Sequence, residues 1–190
     1  FWQANYNQLV NLFPEFKDVS VDELVNMINK TECALIRTEA DELTYPLHIM
    51  VRYEIEKEIA KGNVDYDKLP ELWADKYEEY LGVRPTNYKE GVLQDMHWST
   101  GYLGYFPTYA LGSAYAAQLY ATMEKQFDVK EALLTNHFEK ITDWLKENVH
   151  HYAASKSMAE IVEEVSGEPF NPDYYTDYLI KKYKKLYNLD

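Results

Sequence analysis

The sequence predicts an all-α fold, and three observations carry that reading. Apolar residues recur three and four apart through most of the 190 residues. Helix starts and stops bracket those stretches, among them Ser20-Val-Asp-Glu23, Ser157 with Glu160, and Gly62-Asn63. No repeat, low-complexity tract or flexible linker appears, so residues 1–190 read as a single helical unit.

Taken in order, Phe1 to about Phe16 carries Leu9, Leu12, Phe13 and Phe16 at helical spacing, interrupted by Pro14. The capping box at Ser20 opens a short helix ending near Lys30. Thr31 to Arg37 is apolar and fits either strand or helix. From about Asp41 to Lys61, Leu43, Leu47, Met50, Val51, Ile55 and Ile59 form one apolar stripe. Pro46 falls in its first turns, where a missing amide donor does least harm. Leu69 to Leu81 places Leu72, Trp73, Tyr77 and Tyr80 on one face.

Pro107 to Phe127 clusters Ala110, Gly112, Ser113, Ala114, Ala116 and Ala117, small residues that allow close helix approach and predict a central helix. Leu134, Phe138, Ile141, Leu145 and Val149 mark the next amphipathic helix. Ser157 and Glu160 cap a short one. The last starts near Pro172 with Tyr175, Tyr178 and Leu179 inward, and Lys181, Lys182, Lys184 and Lys185 complement its dipole.

Composition narrows function. An apolar fraction of 46% is that of an ordinary globular protein. The net charge of -13, from 32 acidic and 19 basic residues, repels phosphate backbones and argues against nucleic-acid binding. No apolar run approaches the ~20 residues that span a bilayer, so no membrane partner is expected. The single Cys33 can form no internal disulfide, which points to a reducing, cytoplasmic setting, and it reads as a small buried hydrophobe and not a nucleophile. The chain opens with Phe1-Trp2 instead of Met, and it reads as a fragment.

Metal binding would need histidines or carboxylates at ligand spacing. Of His48, His97, His137, His150 and His151, none stands four residues from another and none opens an HExxH. Adjacent His150 and His151 point about 100° apart on a helix and read as exposed polar residues. His137 reads the same way. His48 shares a helical face with Thr44 and Arg52 and reads as a packed, hydrogen-bonded histidine. Glu39, Asp41 and Glu42 could furnish the carboxylate pair of a hydrolase, but read better as a solvated face or helix start.

That leaves the stretch from Gly91 to Tyr109. It places Gln94, Asp95, His97, Trp98, Tyr102, Tyr105 and Tyr109 on backbone broken by three glycines, which reads as loop. Imidazole and phenol are both donors that can be aimed at developing negative charge. Most of the 18 tyrosines must be structural. The joint spacing of these three after a glycine-flanked histidine favours a site.

Two motifs here resemble signatures of the carboxypeptidase Taq family of zinc metallocarboxypeptidases. IRxxAD stands at Ile36-Arg-Thr-Glu-Ala-Asp41 and GxxQDxHW at Gly91 to Trp98. The flanking Leu43-Thr-Tyr-Pro-Leu-His-Ile49 and Gly104-Tyr-Phe-Pro-Thr-Tyr109 are similar to family members as well. The pattern of a histidine followed by tyrosines also resembles thimet-oligopeptidase-like gluzincins. The resemblance implies the C-terminal half of a mostly helical gluzincin-type catalytic domain. It further implies a homodimer, and zinc held by HExxH and a later glutamate lying before Phe1. No zinc is expected on this chain itself, which alone is expected to be inactive.

The roles the resemblance implies follow from side-chain chemistry. His97 and Tyr105, with Tyr109 or Tyr102, would donate to the tetrahedral oxyanion. Arg37 would either grip the free α-carboxylate of a peptide substrate or form a structural salt bridge with Asp41. Gln94 and Asp95 belong with it at the substrate-binding side, orienting His97 and its loop. Asp41 and Trp98 serve as structural support. The alternatives are a non-catalytic helical interaction domain of peptidase ancestry and, more weakly, a carboxylate-pair hydrolase.

Overall fold

A computed structural model describes residues 1–189. Among them are nine α-helices joined by 3₁₀ turns and loops, and no strand. The helices are α1 (Trp2–Leu12), α2 (Val21–Ile28), α3 (Tyr45–Ala60), α4 (Leu69–Leu81), α5 (Pro107–Glu124), α6 (Val129–Leu134), α7 (Phe138–Asn148), α8 (Met158–Ser166) and α9 (Asp173–Tyr187). The chain divides into two compact units, one of residues 29–112 and one of residues 1–28 with 113–190.

In the unit of residues 29–112, α3 packs on α4 around Val51, Ile55, Trp73, Tyr77 and Leu81. Trp73 stacks on Tyr77 with ring centroids 5.2 Å apart. A fully buried side chain such as Ile55 contributes about 1.5–3 kcal/mol here. Gly82 ends α4 in the left-handed conformation at φ +67°, where other residues would be strained. Helix α3 starts at Tyr45 and not Asp41, because Asp41 accepts the amides of Leu43 and Thr44 as a turn does. The ambiguous run before Arg37 is neither strand nor α-helix; only Arg37–Glu39 forms a 3₁₀ turn. Cys33 is exposed, not buried.

The other unit is built on Leu119, Met123, Val129, Trp144 and Val162. Both capping boxes form: Ser20 with Glu23 and Ser157 with Glu160 exchange backbone and side-chain bonds. The first predicted helix ends at Leu12, since Pro14 disfavours helical backbone before it and opens a separate turn at Pro14–Asp18. The single helix expected around Leu134–Val149 is two, parted at Asn136 with φ +59°. Of the small residues near the start of α5, Ala114 is buried while Gly112 and Ala116 are exposed. In α9, Leu179 is buried and Tyr175 half-buried as expected, Tyr178 is exposed, and Tyr183 one turn further on is buried.

Candidate functional site

Helix α3 carries a polar ladder inside the unit of residues 29–112. His48, Arg52 and Glu56 follow Thr44 at intervals of four, so all four lie on one face at about 6 Å rises. All four are buried. Each rung holds something different. The Thr44 hydroxyl donates to Asp41 at 2.9 Å. His48 Nδ1 lies 3.0 Å from the Tyr77 hydroxyl. The Glu56 Oε1 accepts Trp98 Nε1 and the Gly104 amide, both at 2.9 Å.

Arg52 is the central rung, and it is wholly buried. Its guanidinium donates to Asp95 Oδ2 through Nε at 2.8 Å and Nη2 at 2.5 Å, and to the His48 carbonyl at 2.7 Å. Arg37 takes the other carboxylate oxygen of Asp95, through Nε at 3.2 Å and Nη2 at 2.7 Å. Arg37 Nη1 also donates to the Tyr45 hydroxyl at 2.9 Å. Gln94 ties the two arginines together, its Oε1 accepting from the Arg37 amide and from Arg52 Nη2. Its amide nitrogen donates to the carbonyls of Leu35 and Glu90.

Two guanidinium groups on one carboxylate leave this buried trio with net charge +1. Burial acts to raise the Asp95 carboxyl, but the Arg37 bond and the charge of Arg52 outweigh it and hold it below its usual range. Burial likewise acts against the Arg37 cation, and Asp95 and Tyr45 more than reverse that. His48 is pushed down to about 4, by burial first and then by the charges of Arg52 and Arg37. It is therefore neutral near pH 7.

Arg37 does not bridge to Asp41. That carboxylate is occupied by the Thr31 hydroxyl and the backbone amides of Glu32, Leu43 and Thr44. Burial would raise it, yet these donors hold it below its usual range. Asp41 thus shapes the entry to α3, while Glu39 and Glu42 are exposed.

The histidine and tyrosines come together beside this trio. Gly101 and Gly104, at φ +85° and +80°, turn the loop that carries Tyr102 and Tyr105. Met96, His97, Thr100, Tyr102, Tyr105 and Tyr109 line one cleft of about 360 Å³. His97 Nε2 lies 3.1 Å from the Tyr109 hydroxyl, and its ring stacks on Tyr105 at 5.8 Å. Nδ1 is buried, 4.0 Å from Asp95 Oδ1 and outside hydrogen-bond range. Arg37 Cζ sits 5.1 Å from the centroid of the Tyr109 ring, which also lines the cleft. His137 pairs with Glu139 on the surface, and His150 and His151 are exposed.

The sequence profile of the carboxypeptidase Taq (M32) metallopeptidases matches residues 1–183. The chain belongs to this family. It is 47% identical to carboxypeptidase 1 of Bacillus subtilis over 191 residues, covering all of this chain and 38% of that protein. It is 40% identical to thermostable carboxypeptidase 1 of Thermus thermophilus, covering 98% of this chain and 37% of that one. Among solved structures, the M32 carboxypeptidase from Deinococcus radiodurans superposes with a TM-score of 0.95 at 34% identity. That match covers 98% of this chain and 38% of that one. The chain thus spans less than two fifths of the length of the relatives it matches.

The family name implies a metal. Among the described residues no three His, Cys, Asp or Glu side chains gather to hold an ion. The described residues do not fit that group. Arg52, Glu56, Tyr45 and Tyr77 join the site without having stood out as site residues in the sequence. The one signal was the fourfold spacing of Thr44, His48 and Arg52, extended by Glu56, which interrupts the apolar pattern of α3.

Proposed function

We propose that this chain supplies the carboxylate-recognition and proton-donating wall of a carboxypeptidase catalytic domain, acting on peptides with a free C-terminus. The observation that carries the reading is the net +1 charge of Arg37, Asp95 and Arg52 beside a cleft lined by imidazole and phenols. A guanidinium offers five N–H donors. Arg37 spends three on Asp95 and Tyr45, which leaves one on each terminal nitrogen. Such a pair engages a carboxylate through two parallel bonds.

The donors of the cleft would then serve the reacting carbonyl. The Tyr109 hydroxyl and His97 Nε2 share one hydrogen bond across 3.1 Å in the resting site. An oxyanion forming in the cleft competes for that hydroxyl, and Tyr105 or Tyr102 offers a second. Each such donor supplies roughly 3 kcal/mol of transition-state stabilisation. The full-length protein would be a zinc metallocarboxypeptidase, with the metal ligands outside this chain, and would act as a cytoplasmic homodimer.

A peptide-release assay on the full-length protein tests this reading. It should free single residues from peptides with a free C-terminus, spare C-terminally amidated peptides, and stop with a chelator. A folded protein that releases nothing, or that cuts amidated peptides equally well, is not a carboxypeptidase.

A further inference from the structure

We propose that Glu56 is a positioning residue for the tyrosine loop, fixing where Tyr102 and Tyr105 stand relative to His97. The inference rests on the reading of the cleft given above and goes beyond it by naming what holds the cleft in shape. One carboxylate oxygen of Glu56 accepts both the indole N–H of Trp98 and the backbone N–H of Gly104. Those donors are the two ends of the loop. Between them the backbone N–H groups of Thr100, Gly101 and Tyr102 bond only to carbonyls of Met96, His97 and Trp98 among the described residues, so the loop is held locally. Gly104 is followed directly by Tyr105 and then by buried Phe106.

Burial of this carboxylate is costly, since Glu56 is 7% exposed and its Oε2 has no hydrogen-bond partner among the described residues. The packing of α3 on α4 does not require it, because Val51, Ile55, Trp73, Tyr77 and Leu81 supply that core. What a carboxylate adds is a pair of charge-assisted bonds, roughly twice as strong as neutral ones, on a loop with two glycine hinges. The Trp98 ring is seated as well, edge-on to Trp73 at 5.7 Å and to Phe106 at 6.0 Å.

Three variants of the full-length protein decide the matter. Glu56→Ala removes the acceptor, Glu56→Asp keeps the charge but shortens the reach, and Glu56→Gln keeps an oxygen in place. Hydrogen exchange read by mass spectrometry should quicken in peptides covering residues 98–106 for Ala and Asp, and stay unchanged over α4. For both, kcat should fall by about 10- to 100-fold with KM held within about threefold. Gln, which keeps an acceptor oxygen but makes neutral bonds, should restore both readings in part.

Unchanged exchange at residues 98–106 in the Ala and Asp variants overturns the proposal. So does a loosened loop with unaltered kcat. Faster exchange throughout α3 and α4, with Gln as impaired as Ala, would make Glu56 a plain structural residue. If the parent protein releases no amino acids from peptides, the exchange comparison still decides what holds the loop, and only the peptidase reading is lost.

Discussion

Arg52 and Asp95 meet through two donors on a single oxygen, with Nε at 2.8 Å and Nη2 at 2.5 Å of Oδ2. The Arg52 side chain is fully buried and that of Asp95 is 9% exposed. Replacing Asp95 by Asn keeps the shape but strands two guanidinium groups without a counter-charge. The variant should lose about 3–5 kcal/mol of stability, the usual cost of removing one partner of a buried pair. Urea unfolding followed by tryptophan fluorescence measures it. A loss under about 1 kcal/mol would mean the trio is solvated in solution.

His48 makes the stability of the fold depend on pH. Its folded value of about 4 lies below the ordinary 6.5, because the buried ring next to Arg52 resists protonation. Between those values the unfolded chain binds more protons, so stability rises with pH. The contribution is fully present above about 6.5 and is lost as the pH falls toward 4. Going from pH 7 to pH 5 should cost about 2 kcal/mol through this residue alone. His48→Asn retains a polar partner for Tyr77 and should lose that part of the slope. Parallel slopes for the two proteins would show that His48 takes up its proton in the folded state as readily as in the unfolded one.

Much of the fold was legible because periodicity and punctuation agreed. The helix at Leu69–Leu81 and both capping boxes follow from local rules. The buried face of α3 did not. An apolar stripe through Leu43, Met50 and Ile59 was the natural choice, yet Met50 is 44% exposed and Arg52 is fully buried. Pattern reading assigns charge to solvent, and here Arg52 and Glu56 are buried because residues 42 to 48 positions away satisfy them. The same distance hid the partner of Arg37, which lies 58 residues on at Asp95 and not one turn away at Asp41. The glycine-flanked histidine and its tyrosines were legible as a group, since the segment brings them together by itself.

Arg37→Lys separates charge from geometry. Lysine keeps the positive charge but cannot present two parallel donors. On free-carboxylate peptides, KM should rise by about tenfold, while amidated peptides remain equally poor substrates. Steady-state kinetics on matched peptide pairs in the full-length protein provide the check. An equal loss on both would assign Arg37 to holding Asp95 and nothing more.

Tyr109 tests whether the hydroxyl or the ring matters. In Tyr109→Phe the ring remains, so the contact with Arg37 at 5.1 Å is kept and recognition of the substrate carboxylate should survive. What disappears is the hydroxyl bonded to His97 Nε2. If that group moves to the oxyanion, kcat should drop by about 100-fold with KM little changed. Tyr105→Phe serves as the companion, since its ring stacks on His97 whether or not its hydroxyl reaches substrate. A large kcat loss in only one variant names the donor, because both keep the aromatic wall intact. Losses in both that fall short of adding would mean the two phenols act on one oxygen as a unit. Undiminished kcat in both would remove the tyrosines from the chemistry and leave the cleft as a binding surface.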